Sequence, residues 1–351
     1  MPAHPLHAKI QNYIDTLRNS SATDLSYSTK NLELFQQVFQ YQLAANQGLK
    51  NYVAKHEDNI HDFIRGITEI NQLPALPTDA FKHHTNPSTL PIESIIQTFL
   101  TSGTTTDIKG RHHFSTTATY ETSIISAWKY CDLPVFNETF FLTQSPLESP
   151  HSSLSHMMET LKSHLIPSAS YLLKDGIINH HSILDCVKLN KPVTILGTAI
   201  AFLQLFKTLE QEGNILLPTG SWALETGGYK GSKESLTKEE LYGKFQMHLG
   251  IEPNLIWNEY SMTELSSQFY TNGLNNVHIG PPWAPIKVIN PETNLPVKAG
   301  ELGYLVIYDL ANIDSSVGIR TQDLAIYHTP HSFTLIGRDP SALPRGCSRS
   351  L

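Results

Sequence analysis

From residue 92 to about residue 255, short apolar runs alternate with stretches of helical periodicity, and this alternation restricts the fold more than any other feature. Residues 95–100, 139–142, 171–173, 193–196 and 215–217 read as buried strands. Residues 117–130, 154–165, 178–189 and 199–211 carry the helical period between them. A parallel strand pair needs a long crossover, so strand–helix alternation predicts a mostly parallel sheet covered by helices. Past residue 255 the texture changes. Residues 288–290, 303–309, 323–327 and 333–337 read as strands joined by turns, which predicts a small antiparallel β subdomain towards the C-terminus.

Ahead of the alternating region the chain reads as helical. Ile10, Ile14 and Leu17 share one face, while Leu32, Leu34, Phe35, Val38, Phe39 and Leu43 form a second stripe. Residues 52–67 are a weaker helical segment, and 73–91, rich in Pro, Thr and His, read as a linker. The expected organisation is an N-terminal helical region and linker over 1–91, an α/β core over 92–285, an antiparallel subdomain over 286–340 and a tail over 341–351.

Composition narrows the function classes. Lys+Arg total 25 against 32 Asp+Glu, a formal net charge of -7 without a long basic run, which argues against a nucleic-acid partner. Hydrophobic residues make up 40%, enough for a core. The most apolar stretch, 193–206, is broken by Gly197 and Gln204 and is too short to span a membrane. No signal peptide is read at the N-terminus, so a cytoplasmic protein is expected. Three cysteines, Cys131, Cys186 and Cys347, are too scattered for a disulfide framework or zinc knuckle. The adjacent pairs His83-His84, His112-His113 and His180-His181 lack metal-helix spacing and read as surface histidines, with His112 and His113 close enough to a candidate loop to meet substrate.

Three segments carry chemistry. Thr101-Ser102-Gly103-Thr104-Thr105-Thr106-Asp107-Ile108-Lys109-Gly110 is a hydroxyl-rich turn read as following a strand and preceding a helix. Its N–H groups, hydroxyls and Lys109 suit phosphate oxygens, although it is no Walker A loop and a polar surface turn accounts for it equally well. Glu259-Tyr260-Ser261-Met262-Thr263-Glu264 puts a carboxylate beside a hydroxyl at a strand's carboxyl end, which suits a Mg²⁺–phosphate site; a helix cap explains the segment alone better. Arg320-Thr321-Gln322-Asp323 and Gly337-Arg338-Asp339 could hold ribose hydroxyls, or be solvated turns.

Together these segments resemble the adenylate-forming superfamily, which activates carboxylates with ATP. Residues 101–109 are similar to its Thr-Ser-Gly-Thr-Thr-Gly-x-Pro-Lys, with Thr106 and Ile108 departing; residues 260–264 to its Tyr-Gly-x-Thr-Glu, with Ser261 for Gly. Gly300-Glu301-Leu302 and residues 320–323 are similar to its Gly-Glu-Leu … Arg-Thr-Gly-Asp, with Gln322 for Gly. Within the superfamily, Glu225-Thr226-Gly227-Gly228-Tyr229-Lys230-Gly231, Thr263-Glu264-Leu265-Ser266-Ser267-Gln268 and the ending Arg345-Gly346-Cys347-Ser348 resemble acyl-protein synthetases, typified by the synthetase subunit of the bioluminescence fatty-acid reductase.

The resemblance implies the large N-terminal domain of an adenylate-forming enzyme, without the superfamily's mobile C-terminal domain, since only residues 340–351 follow Asp339. It implies an AMP-forming ligase using ATP and Mg²⁺, with a long-chain fatty acid as substrate and an acyl reductase as partner. Thr101, Ser102, Gly103, Thr104, Thr105 and Lys109 would surround the phosphates; Gly227, Gly228, Tyr229 and Tyr260 would lie by the adenine. Thr263 would contact the α-phosphate, Glu264 would bind Mg²⁺, and Asp323 would hold the ribose with Arg338 close by. Cys347 would take the acyl group as a thioester, its thiolate favoured by Arg345 and Arg349. Lys109, Lys230 or a tail arginine would replace the cation of the missing domain. The alternatives are a non-catalytic subunit binding an acyl-adenylate or a reductase, and a ligase loading coenzyme A or a carrier protein. Cys131 and Cys186, in helical patterns, read as packing residues.

Overall fold

The computed structural model describes residues 3–18, 29–55, 60–82, 87–101, 108–227 and 236–339. They divide into two compact units that are discontinuous in sequence. The first comprises Met1–Asp132, Met262–Gln268 and Val277–Leu351; the second comprises Leu133–Ser261 and Phe269–Asn276.

The second unit contains the alternating region. Strands Ser170–Tyr171, Glu138–Leu142, Val193–Thr198, Trp222–Thr226 and Ile256–Tyr260 lie side by side in that order, all parallel. Phe269–Asn272 closes the series antiparallel. Helices Ser153–His164, His181–Lys188, Ala199–Glu212 and Lys238–Leu249 are the crossovers that parallel pairing demands. Their starts are fixed locally: Ser152 accepts from Ser155 N, Thr198 accepts from Ala201 N, and Thr237 and Glu240 form a reciprocal capping box. Phe202, Phe206 and Phe245, fully buried, bring the last two helices together at ring separations of 4.5 and 5.0 Å.

The mostly parallel α/β reading thus holds, with two local corrections. Residues 215–217, expected as a strand, form none; Ile215 and Leu217 instead bond His248 O and Leu249 O at the end of helix Lys238–Leu249. The strand is Trp222–Thr226, whose five residues are all buried. Its period is hidden because a sheet interior covered on both faces shows no alternation.

The first unit holds the antiparallel subdomain in the order Ile286–Ile289, Leu302–Tyr308, Gly318–Thr329, Ser332–Arg338 and Val277–Ile279. Helix Leu6–Leu17 packs on helix Ala118–Tyr130, and Gln42 of helix Thr29–Ala45 donates to Asn312 O (2.6 Å) while accepting from Val317 N (2.9 Å). The segment read as a linker is partly built into this unit. Leu76–Pro77 pairs parallel with Ile319 and Arg320, and Leu73, Leu76 and Phe81 are buried. A Cβ on Gly318 would stand 2.3 Å from Pro74 O, so only glycine permits that approach. No helix among the described residues is long and apolar enough to cross a membrane.

Candidate active site

Within the first unit, strands Gln97–Leu100 and Arg111–Phe114 form an antiparallel pair with the hydroxyl-rich loop joining them. This corrects the strand-then-helix expectation: the helix, Ala118–Tyr130, comes only after a second strand. Arg-His-His-Phe alternates half-buried and buried positions, so it is a strand whose inward residues, His112 and Phe114, include a polar one. The loop's neck is closed by Thr101. Its N–H donates to Gly110 O (3.0 Å), and its Oγ1 accepts from Gly110 N (2.8 Å). Lys109 is exposed at the described end of the loop. Ser102, Gly103, Thr104 and Thr105 lie outside the described residues, as do Gly228, Tyr229, Lys230, Arg345, Cys347 and Arg349.

The Thr263–Glu264 turn belongs to the same unit and is tied down from several sides. His112 donates from Nδ1 to Thr263 O over 2.8 Å, and its Nε2 lies 2.9 Å from Ser315 Oγ. A carbonyl only accepts, so the proton sits on Nδ1 and Nε2 accepts from the Ser315 hydroxyl. The ring is 1% exposed, and burial pushes its pKa down to about 4, keeping it neutral at pH 7. Asn312 Nδ2 donates to Glu264 O over 2.8 Å. Asp309 accepts from Ser266 N (2.7 Å), Ser267 Oγ (2.8 Å) and Ala311 N (3.0 Å); burial raises its pKa to about 6 against those bonds. The Glu264 carboxylate is itself buried.

Asp323 and Arg338 stand opposite one another on paired strands of this unit. Arg338 donates to Gln322 Oε1, and Asp323 N donates to Thr321 Oγ1 at 3.1 Å. Gln322, the departure from the superfamily's glycine, therefore has a definite partner in the arginine of the neighbouring motif.

In the second unit, Thr226–Gly227 and Tyr260 end adjacent parallel strands, in register at Thr226 and Glu259. Open α/β sheets bind ligands at such carboxyl ends. Gly227 has φ +73, with nothing within 4 Å of a built Cβ, so it turns the chain in a conformation that side chains resist. Tyr260 is buried, with its ring edge-on to Phe269. Behind these residues lies a buried polar group that the motif reading did not assign a role. Glu225 accepts from Asn258 Nδ2 (2.6 Å) and Tyr242 OH (3.3 Å), and Thr226 Oγ1 donates to Glu259. Burial raises Glu225 to about 7 and also raises Glu259; Lys238, partly buried near Glu225, is lowered to about 8. The available signal was a carboxylate inside the apolar run Trp222-Ala223-Leu224-Glu225.

The surface reading of the histidines holds at exposed His181 and needs correction at His112 and His180, while His83 and His84 lie outside the described residues. His112 and His180 are buried, the latter 3.2 Å from Glu212, while half-buried His113 bonds Thr98 Oγ1 at 2.8 Å. Cys186 lies in the core cluster of the second unit, and Cys131 caps helix Ala118–Tyr130 with its thiol pushed up to about 12 by burial. Neither is a ready nucleophile.

The fold is that of adenylate-forming enzymes. A 2-hydroxyisobutyryl-CoA ligase solved with its acyl-adenylate and CoA shares it at TM-score 0.68 and 13% identity, over 92% of this chain and 70% of that one. A luciferase-like enzyme of Zophobas morio gives 0.51 at 15% identity, over 78% and 63%. ATP-bound MatB of Rhodopseudomonas palustris gives 0.50 at 12%, over 71% of this chain, which spans about half (49%) of that enzyme. In sequence, the chain is similar to the long-chain-fatty-acid–luciferin-component ligase of Aliivibrio fischeri, 22% identical in an alignment of 341 positions that covers 88% of this chain and 85% of that protein. The resemblance carried by the motifs and this relative agree. No family model matches the sequence.

Proposed function

We propose that the chain is an AMP-forming acyl-protein ligase that activates a long-chain fatty acid with ATP and transfers it to its own Cys347 for delivery to an acyl reductase. The observation that carries the reading is the likeness, over most of both chains, to a long-chain-fatty-acid ligase on an adenylate-forming fold. In the first half-reaction the fatty carboxylate oxygen attacks the α-phosphorus of ATP and pyrophosphate leaves. In the second, the Cys347 thiolate attacks the acyl carbon and AMP leaves with the electron pair of the broken C–O bond.

Thr101 to Thr105 and Lys109 would surround the phosphates, and Gly227, Gly228, Tyr229 and Tyr260 would face the adenine. Thr263 would contact the α-phosphate, and Asp323 the ribose beside Arg338. Glu264 would hold Mg²⁺, whose charge would offset the repulsion of two meeting anions. The donor type fits, because the buried Glu264 carboxylate supplies the oxygens a hard cation takes. His112, Asn312 and Asp309 support the reading by fixing the backbone on which Thr263 and Glu264 sit, so that little reorganisation is left for the reaction.

The test is intact-protein mass spectrometry with Mg-ATP and a panel of fatty acids, wild type against Cys347→Ser. A hydroxylamine-labile acyl mass on wild type alone is expected. A second reading, a ligase loading coenzyme A or a carrier, draws on the likeness to a ligase solved with CoA; it predicts acyl transfer that survives Cys347→Ser. No adduct and no ATP–pyrophosphate exchange would leave a non-catalytic binding subunit.

A further inference from the structure

The first unit contains a cavity of about 540 Å³ beside strand Ile286–Ile289, inside the range of small-ligand pockets. Leu32, Ile70, Pro296 and Val297 contribute apolar wall. Lys287 and Tyr308, two places apart in register on paired strands, reach into the same space. Lys287 Nζ donates to Asn71 O over 2.6 Å and lies 5.4 Å from the centre of the Tyr308 ring. The Tyr308 hydroxyl lies 3.0 Å from both Asn71 O and Leu73 O.

An ammonium has three donors, and the bond to Asn71 uses one. Among the described residues no carboxylate stands within ion-pair distance of Lys287. Glu69, at the rim, is exposed and accepts from Asn71 Nδ2 at 2.9 Å. Lys287 is half-buried, and that burial lowers it to about 8. A half-buried cation beside an apolar wall matches one monoanionic head on an apolar body. A phosphate would call for more donors than this single lysine provides.

The cavity is separate from the Thr263–Glu264 turn. Tyr308 points to Asn71 and Leu73, whereas the next residue, Asp309, points to Ser266 and Ser267.

We propose that this cavity is a second ligand site, binding an amphipathic monocarboxylate with its head on Lys287 and its chain against Leu32, Ile70 and Val297. It requires neither nucleotide nor Cys347.

The test is calorimetric titration of the full chain, without nucleotide, with decanoate and decanol, using wild type, Lys287→Met and Val297→Trp. Wild type is expected to bind decanoate at least tenfold more tightly than decanol. Lys287→Met should bind decanol as wild type does and lose the preference for decanoate, which shows that the pocket is still formed. Val297→Trp, which fills the cavity, should weaken both at least tenfold. Equal decanoate binding by all three proteins, or none by a wild type that melts cooperatively, overturns the proposal. ATP–pyrophosphate exchange on the same samples separates this outcome from failure of the adenylation reading, because exchange without decanoate binding sinks only the second site.

Discussion

His112 donates a 2.8 Å hydrogen bond to the carbonyl of Thr263, 151 residues further along the chain, and thereby joins the strand after the hydroxyl-rich loop to the turn carrying Glu264. Both ring nitrogens are occupied and the side chain is almost wholly buried, so its role is to position the turn, with no free nitrogen left for proton transfer.

Replacing that ring with one of similar volume that cannot hydrogen-bond isolates this role. His112→Phe should leave Thr263 O and the Ser315 hydroxyl without partners, costing about 1–3 kcal/mol of stability. Exchange between ATP and pyrophosphate should fall about tenfold or more, mainly in kcat. Denaturant melts and exchange kinetics check the two effects, and unchanged exchange would mean that the turn does not need the bond.

Acid should unfold the protein in a defined window. The folded pKa values of His112 and His331, both lowered by burial to about 4, lie below the ordinary histidine value of about 6.5. Between those values the unfolded state binds more protons, so stability is complete above pH 6.5 and is lost as pH falls towards 4. The loss is on the order of 2–3 kcal/mol for each ring. Urea melts from pH 7.5 to 4.5 measure it, and His112→Phe should show a shallower acid slope than wild type.

Glu225 works in the opposite direction. Burial raises it to about 7, so the folded state binds the extra proton and stability declines as pH rises from the ordinary carboxylate range through 7. Glu225→Gln keeps an acceptor for Asn258 and Tyr242, and it should be more stable relative to wild type at pH 8 than at pH 5. The same pair of melts decides it; an equal difference at both pH values would show that Glu225 does not titrate there.

Asp309 anchors the Ser266–Ser267 end of the turn, and Asp309→Ala strands two backbone N–H groups and a hydroxyl in a buried place. A loss of about 3 kcal/mol or more is expected from several orphaned donors together. Asp309→Asn, which keeps one acceptor, should recover part of it in urea melts.

Asp323→Ala should raise the KM for ATP about tenfold or more with a smaller effect on kcat, as loss of a ribose contact requires. Steady-state pyrophosphate release reads this directly. A kcat loss at constant KM would place Asp323 elsewhere in the reaction.

Much of this architecture is legible in the sequence because it is local. The helices at Ala118–Tyr130, Ser153–His164 and Ala199–Glu212 follow from periodicity, and Ser332–Arg338 and the 323–327 half of Gly318–Thr329 from apolar runs flanked by turns. The motifs that point to an adenylate-forming fold are contiguous strings, readable without coordinates. What was not legible depends on long-range pairing. Trp222–Thr226 is buried on both faces and shows no alternation, and Arg111–Phe114 is disguised by two histidines. The same holds for Leu76–Pro77, which becomes a strand only because Ile319 and Arg320 pair with it.

The site divides in the same way. Sequence alone names Thr101, Thr263, Glu264, Asp323 and Arg338, because each belongs to a short string of recognisable chemistry. Only the tertiary structure reveals that His112, Asn312 and Asp309 tie down the Thr263–Glu264 turn, or that Lys287 meets Asn71 O and the Tyr308 ring. A buried polar group is defined by the partners that satisfy it, and here those partners lie tens to hundreds of residues away, a separation that no local pattern encodes.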